Sequence, residues 1–102
     1  MKLDILAFGA HPDDIELGCG GTIIKHVDNG FKVGIIDLTK GDLGTRGNAK
    51  IRLEEADFAS NVMGLSVREN LNFKDGFFLN DEEHKTALIK KIRKYKPDIV
   101  LT

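Results

Sequence analysis

Hydrophobic positions along the chain fall into short unbroken runs, separated by longer stretches in which they recur every three or four residues. That alternation predicts strands and helices in turn. Residues 3–8 form the first run, with Asp4 as its charged interruption and Gly9 at its end. A run apolar on both faces suits a strand covered on both sides, as in a parallel sheet. Over 15–28, Leu17, Ile23, Ile24 and Val27 recur at helical spacing, and Asn29-Gly30 supplies a C-terminal stop. Val33, Ile35, Ile36 and Leu38 predict a second buried strand over 32–38, followed by a glycine-rich loop over 39–48. Ile51, Ala56, Ala59, Val62 and Met63 give a second helix over 49–63, ended by Gly64. Weak alternation over 69–73, before the turn-like Lys74-Asp75-Gly76, predicts a short third strand at 70–72. Asp81 suits the N-cap of a third helix, whose Leu88, Ile89, Ile92 and Tyr95 share one face and which Pro97 stops. Residues 99–101 then begin a fourth strand.

Strands alternating with helices imply right-handed crossovers and an α/β fold, a Rossmann-like three-layer α/β/α sandwich with a mostly parallel sheet. The simplest strand order is 3-2-1-4. In that order the chain changes direction between the first and fourth strands, so a crevice opens at their C-terminal ends. His11 and Thr102 are expected to meet there.

Composition narrows the function classes. With 102 residues the chain is at most one domain, near the lower size limit of a self-sufficient core and short for an enzyme, which makes a fragment the expectation. Hydrophobic residues at 41% and charged residues at 30% fit a folded domain rather than a disordered tail. A formal net charge of -1 gives no overall attraction to nucleic acid or an anionic membrane. The lone Cys19 has no partner for an internal disulfide or a paired-cysteine metal site, which suits a reducing cytoplasmic setting. No apolar run approaches the roughly 20 residues that span a bilayer. Charges in Met1-Lys2-Leu3-Asp4 interrupt any signal-peptide core, so the natural start of a soluble protein is expected.

Chemistry concentrates in Gly9-Ala10-His11-Pro12-Asp13-Asp14-Ile15-Glu16, where the first strand hands over to the first helix. Imidazole nitrogen and carboxylate oxygen are zinc donors, and a catalytic zinc usually combines three protein ligands with an exchangeable water. His11 and Asp14 can supply two of the three. Adjacent carboxylates at such a turn point different ways, so one can bind the cation while Asp13 takes the proton of its water. The reaction this suits is hydrolytic deacylation of an amide.

These residues resemble the zinc-site signature of the PIG-L/LmbE-like N-deacetylases: Ala10-His11-Pro12-Asp13-Asp14, then Glu16. The loop Thr39-Lys40-Gly41-Asp42-Leu43-Gly44-Thr45-Arg46-Gly47, with Arg52 and Glu55 after it, is similar to the bacillithiol-pathway branch, whose substrate is N-acetylglucosaminyl malate. The resemblance implies His11 and Asp14 as zinc ligands, Asp13 as general base, and Arg46, with Arg52 behind it, as substrate-binding residues. A guanidinium fork suits the malate carboxylates because it donates two parallel hydrogen bonds to each. The implied enzyme is a hydrolase of linear amide C–N bonds, with zinc as cofactor and an N-acetylated amino sugar as partner.

The resemblance covers essentially all of the chain, as the N-terminal portion of a single deacetylase domain. The family pattern continues with a histidine motif after the fourth strand, which supplies a third ligand and an acid or oxyanion-stabilising histidine. His26 and His84 sit on predicted helices away from the crevice and do not replace them. Two ligands hold zinc less securely than three, so partial or absent occupancy and an inactive fragment are the expectation for this chain alone. Asp42 stands where family members often carry glutamate. A fourth strand left at the sheet edge predicts self-association into homo-oligomers.

Plainer accounts compete at each position. Pro12, Asp13, Asp14 and Glu16 suit a helix start, since proline fits the first turn and acids complement its positive end. Gly18, Gly20 and Gly21 do not follow the G-x-G-x-x-G spacing of a phosphate loop and suit close packing. Asp37, near the end of the second strand, is placed like the ribose-binding acid of dinucleotide folds, which gives the alternative of a non-catalytic nucleotide-binding module. Arg46 could simply meet solvent. Lys90, Lys91, Arg93, Lys94 and Lys96 form a solvated helix face.

Overall fold

The computed structural model describes residues 1–40, 49–73 and 82–102. Along the chain run β1 (Ile5–Gly9), α1 (Asp14–Asp28), β2 (Val33–Thr39), α2 (Ala49–Met63), β3 (Val67–Phe73), α3 (Glu82–Tyr95) and β4 (Ile99–Leu101). The strands pair in parallel in the order β3-β2-β1-β4, which is the order the sequence predicts. The expected N-cap Asp81 and the turn at Lys74-Asp75-Gly76 lie outside the described residues.

The period-2 alternation of strand side chains sorts the apolar runs of β1 and β2 onto two faces. Ile5, Ala7, Val33 and Ile35 meet Ile15 and Ile23 of α1 and Met63 of α2 on one side. Leu6, Phe8 and Ile36 meet Leu3 and Tyr95 on the other, with Leu88 and Ile92 of α3 packed against them. Full burial of such side chains is worth roughly 1.5–3 kcal/mol each, so the two central strands carry most of the cohesion.

The helix faces differ from the predicted stripes in an informative way. The buried line on α1 is Ile15, Cys19, Ile23 and Val27, each four residues apart, whereas Leu17 is 82% exposed. Cys19 itself leaves helical geometry (φ -148°, ψ 25°) and kinks α1. On α2, Ala56 and Met63 are buried, while Ile51 and Val62 face outward. On α3, Ile89 is exposed and Tyr95 is buried.

β3 is longer than the predicted 70–72 because polar side chains hide its strand character. Arg68 and Asn70 point to the α1 side of the sheet, where Arg68 meets Asp37 and Asn70 Nδ2 donates to Thr39 O at 2.7 Å. Asp4 lies just before β1, where its Oδ2 accepts from Lys32 N at 2.7 Å. That bond explains how a charge sits beside a buried strand.

Candidate functional site

The segment from Gly9 to Asp14 is held almost entirely by its backbone. A Cβ on Gly9 would meet Ile15 Cγ1 at 3.0 Å, so glycine lets α1 start close against the end of β1. Ala10 O accepts from both Thr39 N (3.1 Å) and Thr39 Oγ1 (2.9 Å). His11 O accepts from Asp13 N (2.9 Å) and Asp14 N (3.2 Å). Asp13 takes φ 151° and ψ -15°, a region that costs a non-glycine residue on the order of 1–3 kcal/mol.

Within this turn the three chemistry-bearing side chains separate. Asp14 Oδ2 accepts from His11 N at 3.0 Å and lies 3.6 Å from His11 Nδ1. Asp13 makes no side-chain cap to its own helix; its Oδ1 accepts instead from Arg52 Nη2 at 3.3 Å. A helix start alone therefore does not account for the acids, because Asp13 and Glu16 both engage arginines from other elements.

His11 and Asp14 offer one imidazole and one carboxylate side by side, 37% and 42% exposed. This nitrogen-and-oxygen pair fits a divalent cation such as zinc as part of a coordination set. No cluster of three His, Cys, Asp or Glu side chains able to hold a metal occurs among the described residues. His26 Nδ1 lies 2.7 Å from Thr22 O near the far end of α1. The His84 ring meets Phe73 edge-on at 4.3 Å.

A crevice of about 370 Å³ opens at the C-terminal ends of β1 and β4, lined by Gly9, Asp14, Cys19 and Thr102 among others. Asp14, rather than His11, shares this crevice with Thr102. Arg52, expected to bind substrate, lies beside Asp13 with Nη2 3.3 Å from Oδ1. Arg46 and Asp42 lie outside the described residues.

Sequence reasoning missed a buried ionic cluster directly beneath the turn. Arg68 Nε and Nη2 donate to the two oxygens of Asp37 at 2.8 and 2.9 Å, and Nη2 also reaches Glu16 Oε2 at 3.5 Å and Oε1 at 3.2 Å. The side chains of Arg68 and Asp37 are only 8% and 3% exposed. Burial pushes the Asp37 carboxyl above its usual range against the pull of Arg68, with Glu16 and Asp14 adding repulsion. Burial pushes Arg68 down, but Asp37 and then Glu16 outweigh it and raise its pKa. Burial therefore sets the direction for Asp37, and the two carboxylates set it for Arg68. With both its oxygens held by Arg68, Asp37 is not presented to a ribose. The available signal was a carboxylate inside the apolar run of β2, with an arginine just before the next predicted strand.

Comparison with known proteins agrees with this fold. The profile of the family described as PIG-L: GlcNAc-PI de-N-acetylase matches residues 6–102. A diacetylchitobiose deacetylase of Thermococcus kodakarensis is 35% identical over 95% of this chain and 39% of its own length. An uncharacterized deacetylase of Escherichia coli, YaiS, is 42% identical over 70% of this chain and 38% of its own. Among solved structures, a conserved protein of Thermus thermophilus superposes with a TM-score of 0.90 at 41% identity, over 96% of this chain and 44% of that one. The N,N'-diacetylchitobiose deacetylase of Pyrococcus horikoshii gives 0.88 at 33% identity, over 94% and 39%. The chain thus spans about two fifths of the length of these relatives.

Proposed function

Since the chain belongs to the PIG-L family of de-N-acetylases, we propose that residues 1–102 form the N-terminal portion of a single deacetylase domain that hydrolyses the acetamide of an N-acetylglucosamine conjugate to acetate and a free amine. The observation that carries this reading is the divergence of two neighbouring carboxylates. Asp14 turns to within 3.6 Å of the His11 ring, while Asp13 turns to Arg52.

In this reading His11 and Asp14 hold zinc, with a third ligand contributed by a histidine that is not among the described residues. Bound zinc supplies Lewis acidity, lowering the pKa of a water toward about 7 and polarising the amide carbonyl. Asp13 accepts the proton of the attacking water and passes it to the departing amine. The hydrogen bond from Arg52 fixes the direction of the Asp13 carboxylate, which matters because a general base must lie within hydrogen-bond reach of the proton it takes. Arg46 is assigned to the substrate, and N-acetylglucosaminyl malate, a bacillithiol precursor, is the conjugate we favour because paired carboxylates suit a guanidinium fork. We place the protein in the cytoplasm. Among the described residues no helix is long and apolar enough to cross a membrane.

Release of acetate by the full-length parent, but not by residues 1–102 alone, from a panel of N-acetylglucosamine conjugates tests the proposal. N-acetylglucosaminyl malate should be the best substrate, and chelation should abolish turnover until zinc is restored. Asp13→Asn should lower kcat about 10²–10⁴-fold, the range attributed to general-base catalysis. Full activity after chelation, or in the Asp13 variant, would overturn the mechanism.

A further inference from the structure

Glu16, Asp37 and Arg68 take no part in the proposed chemistry, yet they tie together α1, β2 and β3. Glu16 stands in the first turn of α1, two positions beyond Asp14. Gly9, at the root of the turn, is the register partner of Asp37 across the sheet. The cluster therefore grips the strained turn from beneath, at the sheet and at the helix.

We propose that Arg68 is a positioning residue: bound to Asp37 through two parallel hydrogen bonds, it clamps Glu16 and so fixes the first turn of α1 that aims Asp13 and Asp14. The inference rests on the deacetylase reading for its catalytic consequence, though the clamp itself is a matter of geometry. Three observations support it. The Asp13 backbone sits in a region that persists only where its surroundings over-determine it. Asp13 at the N-cap makes no side-chain bond to its own helix, so beyond the backbone bonds and the Asp14–His11 bond the turn draws on contacts from other elements. The cluster is also a poor source of stability, since Arg68 Nη1 is buried without a hydrogen-bond partner among the described residues and Glu16 Oε1 is close to Nη2 without hydrogen-bond alignment. Buried ion clusters recover their desolvation cost only with full satisfaction. A fork held flat by Asp37 can reach Glu16 with the same nitrogen, whereas a lysine ammonium has no planar fork to do so.

The test compares Glu16→Gln and Arg68→Lys with wild type in three measurements: hydrogen exchange of the Leu17 amide, zinc affinity by calorimetry, and steady-state kinetics. Leu17 N donates to Asp13 O at 2.9 Å, so its exchange reports directly on the first turn. Both variants should speed that exchange about tenfold while strand-core amides stay protected. Zinc affinity and kcat should each fall by about 10–100-fold, the usual cost of removing support from a metal site, with KM nearly unchanged. The double variant should be no worse than the stronger single one, because both break one link. Folded variants with wild-type Leu17 exchange, zinc affinity and kcat would overturn the clamp. If the full-length wild-type parent releases no acetate, the deacetylase reading fails, and Leu17 exchange still decides the positioning role.

Discussion

Arg68 and Glu69 are neighbours on β3, and their side chains leave the sheet on opposite sides. Arg68 enters the α1 side, 8% exposed, and meets Asp37 and Glu16. Glu69 enters the α3 side, 28% exposed, where Oε2 accepts from Tyr95 Oη at 2.7 Å and Oε1 from Lys91 Nζ at 3.2 Å. Each is a charge held by partners from other elements, but water reaches the second more freely. Solvent access, more than the number of bonds, should decide what each cluster is worth, because desolvation makes an unpaired buried charge costly and screening makes an exposed pair cheap.

The sharpest way to break that contrast is to delete the buried cation. Arg68→Met leaves Asp37 and Glu16 facing each other without compensation, which should cost about 3–5 kcal/mol, the usual penalty for removing one partner of a buried pair. Urea denaturation would measure it. A loss below about 1 kcal/mol would show that the cluster is already hydrated. A steric control on the Glu69 side is Gly34→Ala. A Cβ there would stand 2.6 Å from Leu3 Cδ1 and 3.2 Å from Val67 Cβ, and overpacking of this kind costs roughly 1–3 kcal/mol. It should unsettle β3 on the α3 side without touching the ionic cluster.

The same two residues explain how much of the molecule was legible from sequence. The strand order could be read because β1 and β2 are apolar on both faces and α1, α2 and α3 end at Gly or Pro signals. β3 was read too short because Arg68, Glu69 and Asn70 look like loop residues until their partners are known, and those partners lie 22 to 52 positions away. The α1 stripe was misassigned because Leu17 and Ile24 are as apolar as Ile15 and Ile23, and only the angle at which the helix meets the sheet distinguishes them. The His11-Asp13-Asp14 turn could be picked out because the chemistry is local. The Asp13–Arg52 and Glu16–Arg68 pairs could not, since a guanidinium's partner is a property of the fold.

A smaller effect belongs to the single hydrogen bond between Tyr95 and Glu69. Tyr95→Phe keeps the ring packed against Leu3, Leu6 and Phe8 and removes only the hydroxyl, so about 1 kcal/mol should be lost at neutral pH. The pH profile sharpens this. Partial burial pushes the Glu69 carboxyl up, but bonds from Tyr95 and Lys91 and the charges of Lys91 and Lys94 outweigh it, leaving its pKa below the ordinary 4.5. A lowered carboxylate pKa contributes stability that is complete above 4.5 and drains away as pH falls through the folded value. The Tyr95 hydroxyl is held above its ordinary 10.0, by burial first and by Glu69 second. Its contribution is complete below 10.0 and is lost as pH rises through the folded value. Burial and the Tyr95–Glu69 bond together thus shape the alkaline edge, and the same bond contributes to the acid one. In a series of melting temperatures against pH, Tyr95→Phe should remove the alkaline edge and shallow the acid one, while Lys94→Ala, whose ammonium stands 3.8 Å from Glu69 in open solvent, should shift neither by more than the roughly 0.5 kcal/mol of an exposed pair. An alkaline edge that survives Tyr95→Phe would assign it to another group and leave the Glu69 side with no more than screened surface pairs.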